Sequence, residues 1–286
     1  MTKDRWAVAA LLVGAGSWGV LWYPLRALAQ QGLSGVWLAV ILYAGAGLSG
    51  VLLCGARRRC AGPWRVWLAL AFLGGVTNIG FVVAILNDNI LRVTLLFYLS
   101  PVWSVLLARV FLRERLSPVV ILGVSGAILG TVILLWHDAA LVLRFSDILA
   151  LVAGFSFAAA NVIMRAYPSL PLETKVLSTF LGVVIVGLVV LAFHTPAAPL
   201  APMAPVGAWV RAALLGGIGI FAVTLFVQYG VTALPVRQSS VLLVFEVITA
   251  AFSQHLLLHS VLGTEAWLGA VLIAASATLV GAYEQT

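Results

Sequence analysis

Polar residues in this chain are gathered into short breaks between long apolar stretches, and each stretch is about 20 residues long, the length that spans a hydrocarbon core. Ten such runs follow one another: 6–28, 33–54, 66–86, 91–112, 118–136, 148–166, 176–194, 210–233, 238–258 and 266–283. No stretch between them is long enough for a soluble domain. The pattern predicts an all-α integral membrane protein of ten transmembrane helices. The first run begins with Lys3 and Arg5 like a signal peptide. It is too long and too rich in Trp, Tyr and Pro for a cleaved segment, so a retained helix is expected.

Composition agrees, with 63% hydrophobic and only 9% charged residues among 286 and a mean hydropathy of +1.14. The net charge of +7 then reads as a topology signal rather than as a nucleic-acid footprint. With the N terminus inside, twelve of the sixteen basic residues fall on the cytoplasmic half, and Arg26, Arg92, Arg144 and Arg211 fall outside. Both termini are expected in the cytoplasm, with lipid head groups as partners of the basic loops. Cys54 and Cys60 lie at the inner end of the second run with no metal-binding spacing around them, so neither a disulfide nor a metal is expected. No cofactor motif and no P-loop is present, which disfavours direct ATP coupling by this chain. The Pro/Ala segment "HTPAAPLAPMAPVG" (residues 194–207) reads as an extended outer loop.

The chain also repeats itself. Slid by 145 residues, "RVTLLFYLSPV" (from Arg92) lies over "RQSSVLLVFEV" (from Arg237), and the third and eighth runs share "LGGV" at Leu73 and "LGGI" at Leu215. Five spans per unit is an odd number, so the second unit enters the membrane from the opposite side. Two inverted five-helix repeats, residues 1–144 and 145–286, are therefore expected to form one integrated transmembrane domain.

In the fourth run Thr94, Tyr98, Pro101 and Ser104 share one helical face. Their repeat equivalents are Ser239, Leu243, Glu246 and Thr249. Glu246 stands inside the apolar "LLVFEVITAAF", roughly 13 Å into its helix at 1.5 Å per residue. An acidic residue there costs about 2.5–3.5 kcal/mol unless water, a partner or a proton relieves it. Two readings stand: a glutamate lining a watery cavity, where it meets a substrate amine or exchanges a proton, and a permanently protonated glutamate bonded to a neighbouring helix. Trp18 and Trp22 lie one turn apart in "GSWGVLWYPLRAL", and Pro24 behind them must loosen the helix. Asn78 and Asn161 are amides within apolar spans that need partners, and interhelical bonding serves as well as ligand contact. Gln228 adds a similar group in the eighth run.

At these residues the sequence resembles the drug/metabolite transporter superfamily, and within it the EamA-type ten-helix exporters. The resemblance rests on "SWGVLWYPLRAL", on "LSPVWSVLLARVFLRERLS" (from Leu99) and on "FAAANVIMRAY", which opens with Phe157, and it spans the whole chain. Its Trp and Tyr content looks most like the YddG-type exporters of aromatic and neutral amino acids. The resemblance implies a secondary transporter of a prokaryotic inner membrane, not an enzyme, that exports a small metabolite by alternating access. The expected substrate-binding set is Trp18, Trp22, Asn78, Tyr98, Pro101, Ser104, Phe157, Asn161, Gln228, Glu246 and Thr249, with no cofactor. Glu246-Val247 departs from the Pro-Val common in relatives, and His259 stands where the first repeat has Glu114. Other readings are export of another metabolite or drug, a channel or scaffold, and an intramembrane enzyme. The last is disfavoured because "HLLLH" (His255, His259) lacks the glutamate of the zinc motif and any third ligand.

Overall fold

The computed structural model describes residues 2–33, 35–54, 62–113, 118–136, 144–167, 169–193, 202–234, 242–243, 245–258 and 263–283; within them the chain is helical, with no strand. In chain order the helices are α1 (Thr2–Val20), α2 (Trp22–Ala29), α3 (Gly35–Cys54), α4 (Trp64–Asn87), α5 (Ile90–Phe97), α6 (Ser100–Leu107), α7 (Pro118–Trp136), α8 (Phe145–Ala166), α9 (Leu172–Ala192), α10 (Val206–Leu214), α11 (Phe221–Ala233), α12 (Phe245–Leu258) and α13 (Thr264–Tyr283). Wider π-helical turns continue α6 over Ala108–Leu112 and join α10 to α11 over Leu215–Ile220.

Seven segments among the described residues are long and apolar enough to cross a membrane: Arg5–Ala29, Gly35–Leu52, Trp64–Asn87, Arg92–Leu112, Phe145–Met164, Leu172–Ala192 and Val206–Gly230. The other three predicted runs overlap α7, α12 and α13, of which α7 and α13 carry shorter apolar stretches at Ile121–Gly130 and Trp267–Ser276. Arg237, Cys60, His259, Glu114 and most of the Pro/Ala loop lie outside the described residues.

Two spans are broken, and proline chemistry accounts for both. Pro24 has no N–H for the Val20 carbonyl, so the first span bends at Leu21, where Leu21 N–H donates to the Trp18 carbonyl three residues back. Pro101 likewise denies a donor to the Phe97 carbonyl, and the fourth span stops at Tyr98 and restarts at Ser100. The sequence places the loosening at the prolines; the structure places it three residues upstream of each, because the lost bond belongs to residue i−4. The Phe97 carbonyl faces Gly154 of α8, whose missing side chain admits it.

The helices pack in a definite set of pairs: α4 against α8 and α9, α3 against α9 and the α10–α11 unit, α1 against α11 and α12, α5 and α6 against α8, α5 against α12, and α7 against α13. A central apolar cluster including Trp22, Leu42, Phe180 and Ile220 is fully buried, while Phe72, Leu122 and Phe252 point outward, as expected when the surrounding solvent is lipid. Glycines set the closest approaches. A Cβ on Gly182 of α9 would collide with the Ala71 carbonyl of α4, and one on Gly216 would collide with the Leu42 carbonyl of α3. A Cβ on Gly75 of the first "LGG" motif would in turn meet the Gly182 carbonyl, so that motif and the one at Leu215 both lie at seams between helices.

Candidate functional site

The break in the fourth span leaves Tyr98 at the end of α5, against α12, with its ring beside Leu95, Val247, Ala251 and Ile273. Its hydroxyl oxygen lies 2.9 Å from Glu246 Oε2 and 3.0 Å from the Leu243 carbonyl. Glu246 is half-buried, and among the described residues no Lys, Arg or His forms an ion pair with it. A carboxyl group thus faces a phenol in an apolar surround, where each must satisfy the other.

Aromatic rings continue from this pair. Phe97 stands edge-on to Tyr98 at 6.2 Å, and its ring lies 5.4 Å from Phe157 of α8 and 5.1 Å from Phe81 of α4. One turn along α12, the Thr249 hydroxyl donates back to its own helix, to the Phe245 and Glu246 carbonyls, while Gly19 of α1 packs on that turn. Trp22 is buried, and its indole N–H donates to Ser253 Oγ at 2.9 Å; Ser253 in turn donates toward the Gly19 and Ala250 carbonyls. Trp18 is half-buried against the central cluster.

The remaining expected site residues are placed differently. Asn78 accepts from the Tyr43 hydroxyl of α3 and donates to the Gly74 carbonyl at 2.8 Å, so its amide joins α3 to α4 beside Phe180. Asn161 is half-buried in α8, with no hydrogen bond among the described residues. Ser104 and Gln228 are half-buried in α6 and α11, and Pro101 stands in the first turn of α6. The structure brings Tyr98, Phe157, Glu246 and Thr249 to one region and Trp22 to the adjoining turn of α12; it draws Asn78 into a separate bond with Tyr43.

A second polar constellation, absent from the expected site, joins the start of α5 to the start of α8. Arg92 of α5 grips Asp147 of α8 with both arms, Nε to Oδ1 at 2.8 Å and Nη2 to Oδ2 at 2.7 Å, and Asp147 also accepts the Arg144 backbone N–H at 2.9 Å. Asp147 is fully buried and Arg92 nearly so. Arg144 reaches Asp88 at 2.7 Å, and Arg26, stacked on Trp22, donates to the Ile85 and Asp88 carbonyls. Of these groups Arg26 and Asp88 border an open depression of about 630 Å³, lined also by Asn87, Asn89 and Gln254. The available signal was Asp147 at the third position of its helix, a site where a carboxylate caps the free N–H groups.

A chain that is helical through its described residues, with several lipid-length apolar spans and an internal carboxyl group, is a multi-pass membrane protein. The EamA-like transporter family, within the drug/metabolite transporter superfamily, matches over residues 5–136 and 144–282, and the chain belongs to that family. No curated protein matches it. A protein of known crystal structure is similar in fold, with a TM-score of 0.66 over 96% of this chain and 94% of that one at 16% identity.

Proposed function

We propose that the chain is a secondary transporter of a prokaryotic inner membrane that exports small amphipathic metabolites, aromatic and other neutral amino acids above all, by alternating access. The observation that carries this reading is the carboxyl–phenol pair of Glu246 and Tyr98 within the bundle, with Phe97 and Phe157 beside it. A zwitterion with an apolar side chain needs a group for its ammonium and a ring-lined wall for its side chain, and these residues supply both. The Trp and Tyr content of the first and fourth spans favours the YddG-type subgroup.

Ten spans in two inverted repeats give this mechanism its moving parts. Exchanging the two halves turns the contact of α4 with α8 into that of the first span with α11, and the contact of α4 with α9 into that of α3 with the α10–α11 unit; both members of each pair occur. Tyr98 touches the carbonyl of Leu243, its own repeat equivalent 145 residues on, as a residue beside a twofold axis would. The family match falls in two stretches that divide where the repeats do.

The test is uptake and release of a radiolabelled amino-acid panel by proteoliposomes of the purified protein. Saturable flux with preference for aromatic and large neutral side chains is expected; flux that rises linearly with concentration would indicate a channel and overturn the reading. For orientation, Met203→Cys should be labelled from outside and Tyr167→Cys only after permeabilisation, and the reverse pattern would overturn the assignment of the termini to the cytoplasm.

A further inference from the structure

The hydroxyl of Tyr98 carries one hydrogen, yet two acceptors lie within bonding distance of it, Glu246 Oε2 at 2.9 Å and the Leu243 carbonyl at 3.0 Å. If the phenol donates to the carbonyl, the carboxyl group must bring its own hydrogen and donate to the phenol oxygen. That gives a complete chain from Glu246 to Tyr98 to Leu243. If Glu246 is ionised instead, the phenol must turn its hydrogen toward the carboxylate, which leaves a charge in apolar surroundings with one donor and no cation among the described residues.

Among the described residues the neighbouring elements offer no other charge to settle the account. On α1 the charged positions, Lys3, Asp4 and Arg5, are all in the first turn, and α5 contributes Tyr98 itself and Arg92, which is held by Asp147. The ionisable positions of α13, Glu265 and Tyr283, stand at its two ends, α11 brings only Tyr229, and on α12 itself His255 is nine residues away. Tyr23 and Arg26 of α2 lie toward the Ser253 end of α12, and Arg26 is engaged with Trp22, Ile85 and Asp88.

We infer that Glu246 is protonated in this conformation and exchanges that proton for the ammonium of the substrate, so that export is a one-for-one proton antiport. The inference rests on the transport reading above and gives it a driving force. On substrate binding the carboxyl O–H bond breaks and its proton passes to water. The carboxylate then pairs with the ammonium N–H groups, and the phenol of Tyr98 turns its single hydrogen from Leu243 to the carboxylate. Release on the other side takes up one proton and restores the chain. No covalent bond to the substrate forms. A zwitterion has no net charge, so each cycle carries one positive charge inward and responds to an inside-negative potential.

Two measurements test this. In proteoliposomes whose membrane potential is clamped at zero with equal potassium and valinomycin, a pH gradient of one unit, alkaline inside, is expected to sustain an about tenfold gradient of phenylalanine, higher outside, through the wild-type protein. None is expected with Glu246→Gln, while Tyr98→Phe slows the flux and keeps the coupling. Saturable flux that ignores the pH gradient, or coupling retained in Glu246→Gln, would overturn the inference and leave the transporter reading intact. The second measurement needs no flux: infrared spectra of the purified protein should show a protonated-carboxyl stretch that Glu246→Gln removes and that 2-phenylethylamine, an ammonium without a carboxylate, discharges. A band that is missing or indifferent to the amine overturns the inference. A protein that moves no amino acid but discharges the band fails only the amino-acid reading.

Discussion

Replacing Asp147 by alanine removes the carboxylate that holds Arg92 through two hydrogen bonds of 2.7 and 2.8 Å and caps the first turn of α8 through a third of 2.9 Å. Asp147 has no exposed surface, so water cannot take its place. Stranding a buried guanidinium costs about 3–5 kcal/mol, and losing the cap contributes about 1 kcal/mol of the total. Asp147→Asn keeps an oxygen for the cap but gives up the charge, so roughly half the loss is expected. The double change Arg92→Leu with Asp147→Leu removes both charges and should restore most of it. Reversible unfolding of the single and double leucine variants in mixed micelles closes a double-mutant cycle, with an expected coupling of about 2–3 kcal/mol. A coupling within about 0.5 kcal/mol of zero would refute the reasoning, because it would mean that water screens the pair as it does a surface bridge.

Ser253→Ala should destabilise the protein by about 1–3 kcal/mol by leaving the buried Trp22 N–H without an acceptor, and Trp22→Phe in that background should recover part of the loss in the same assay. Trp18→Ala should raise the half-saturation concentration for aromatic substrates more than for small ones, read from flux at varied substrate concentration. Pro101→Ala returns an N–H for the Phe97 carbonyl and favours a continuous fourth span; transport should fall while expression and membrane insertion stay normal.

The helical spans were legible because a helix solvated by lipid needs only length and apolar side chains, both of which can be counted along the chain. Glu246 was legible for the same reason, as a carboxyl in a setting where any carboxyl needs an explanation. Its bond to Tyr98 was half visible: the two stripes were aligned by the 145-residue offset, but the break that turns Tyr98 toward α12 acts three residues before the proline that causes it. Asn78 was recognised as needing a partner, yet nothing in the pattern singled out Tyr43, which is an ordinary member of an apolar helix until the two spans meet. Of the pair of Arg92 and Asp147 only the capping position of the carboxylate was legible, and its partner was not. The two residues lie 55 positions apart on different helices, and a charge-side count gives an arginine a side of the membrane but no partner.

At the glycine seams, the measure that revealed the fold and the tolerance of the chain to mutation run in opposite directions. Alanine and valine are more apolar than glycine and better helix formers than it is, so hydropathy and helix propensity together rank Gly182→Ala or Gly216→Val as improvements to a spanning helix. The carbonyls of Ala71 and Leu42 stand where the new carbon would go. A mutational survey should therefore find some of its least forgiving sites where the chain has no side chain at all, in the middle of segments that a hydropathy profile treats as interchangeable.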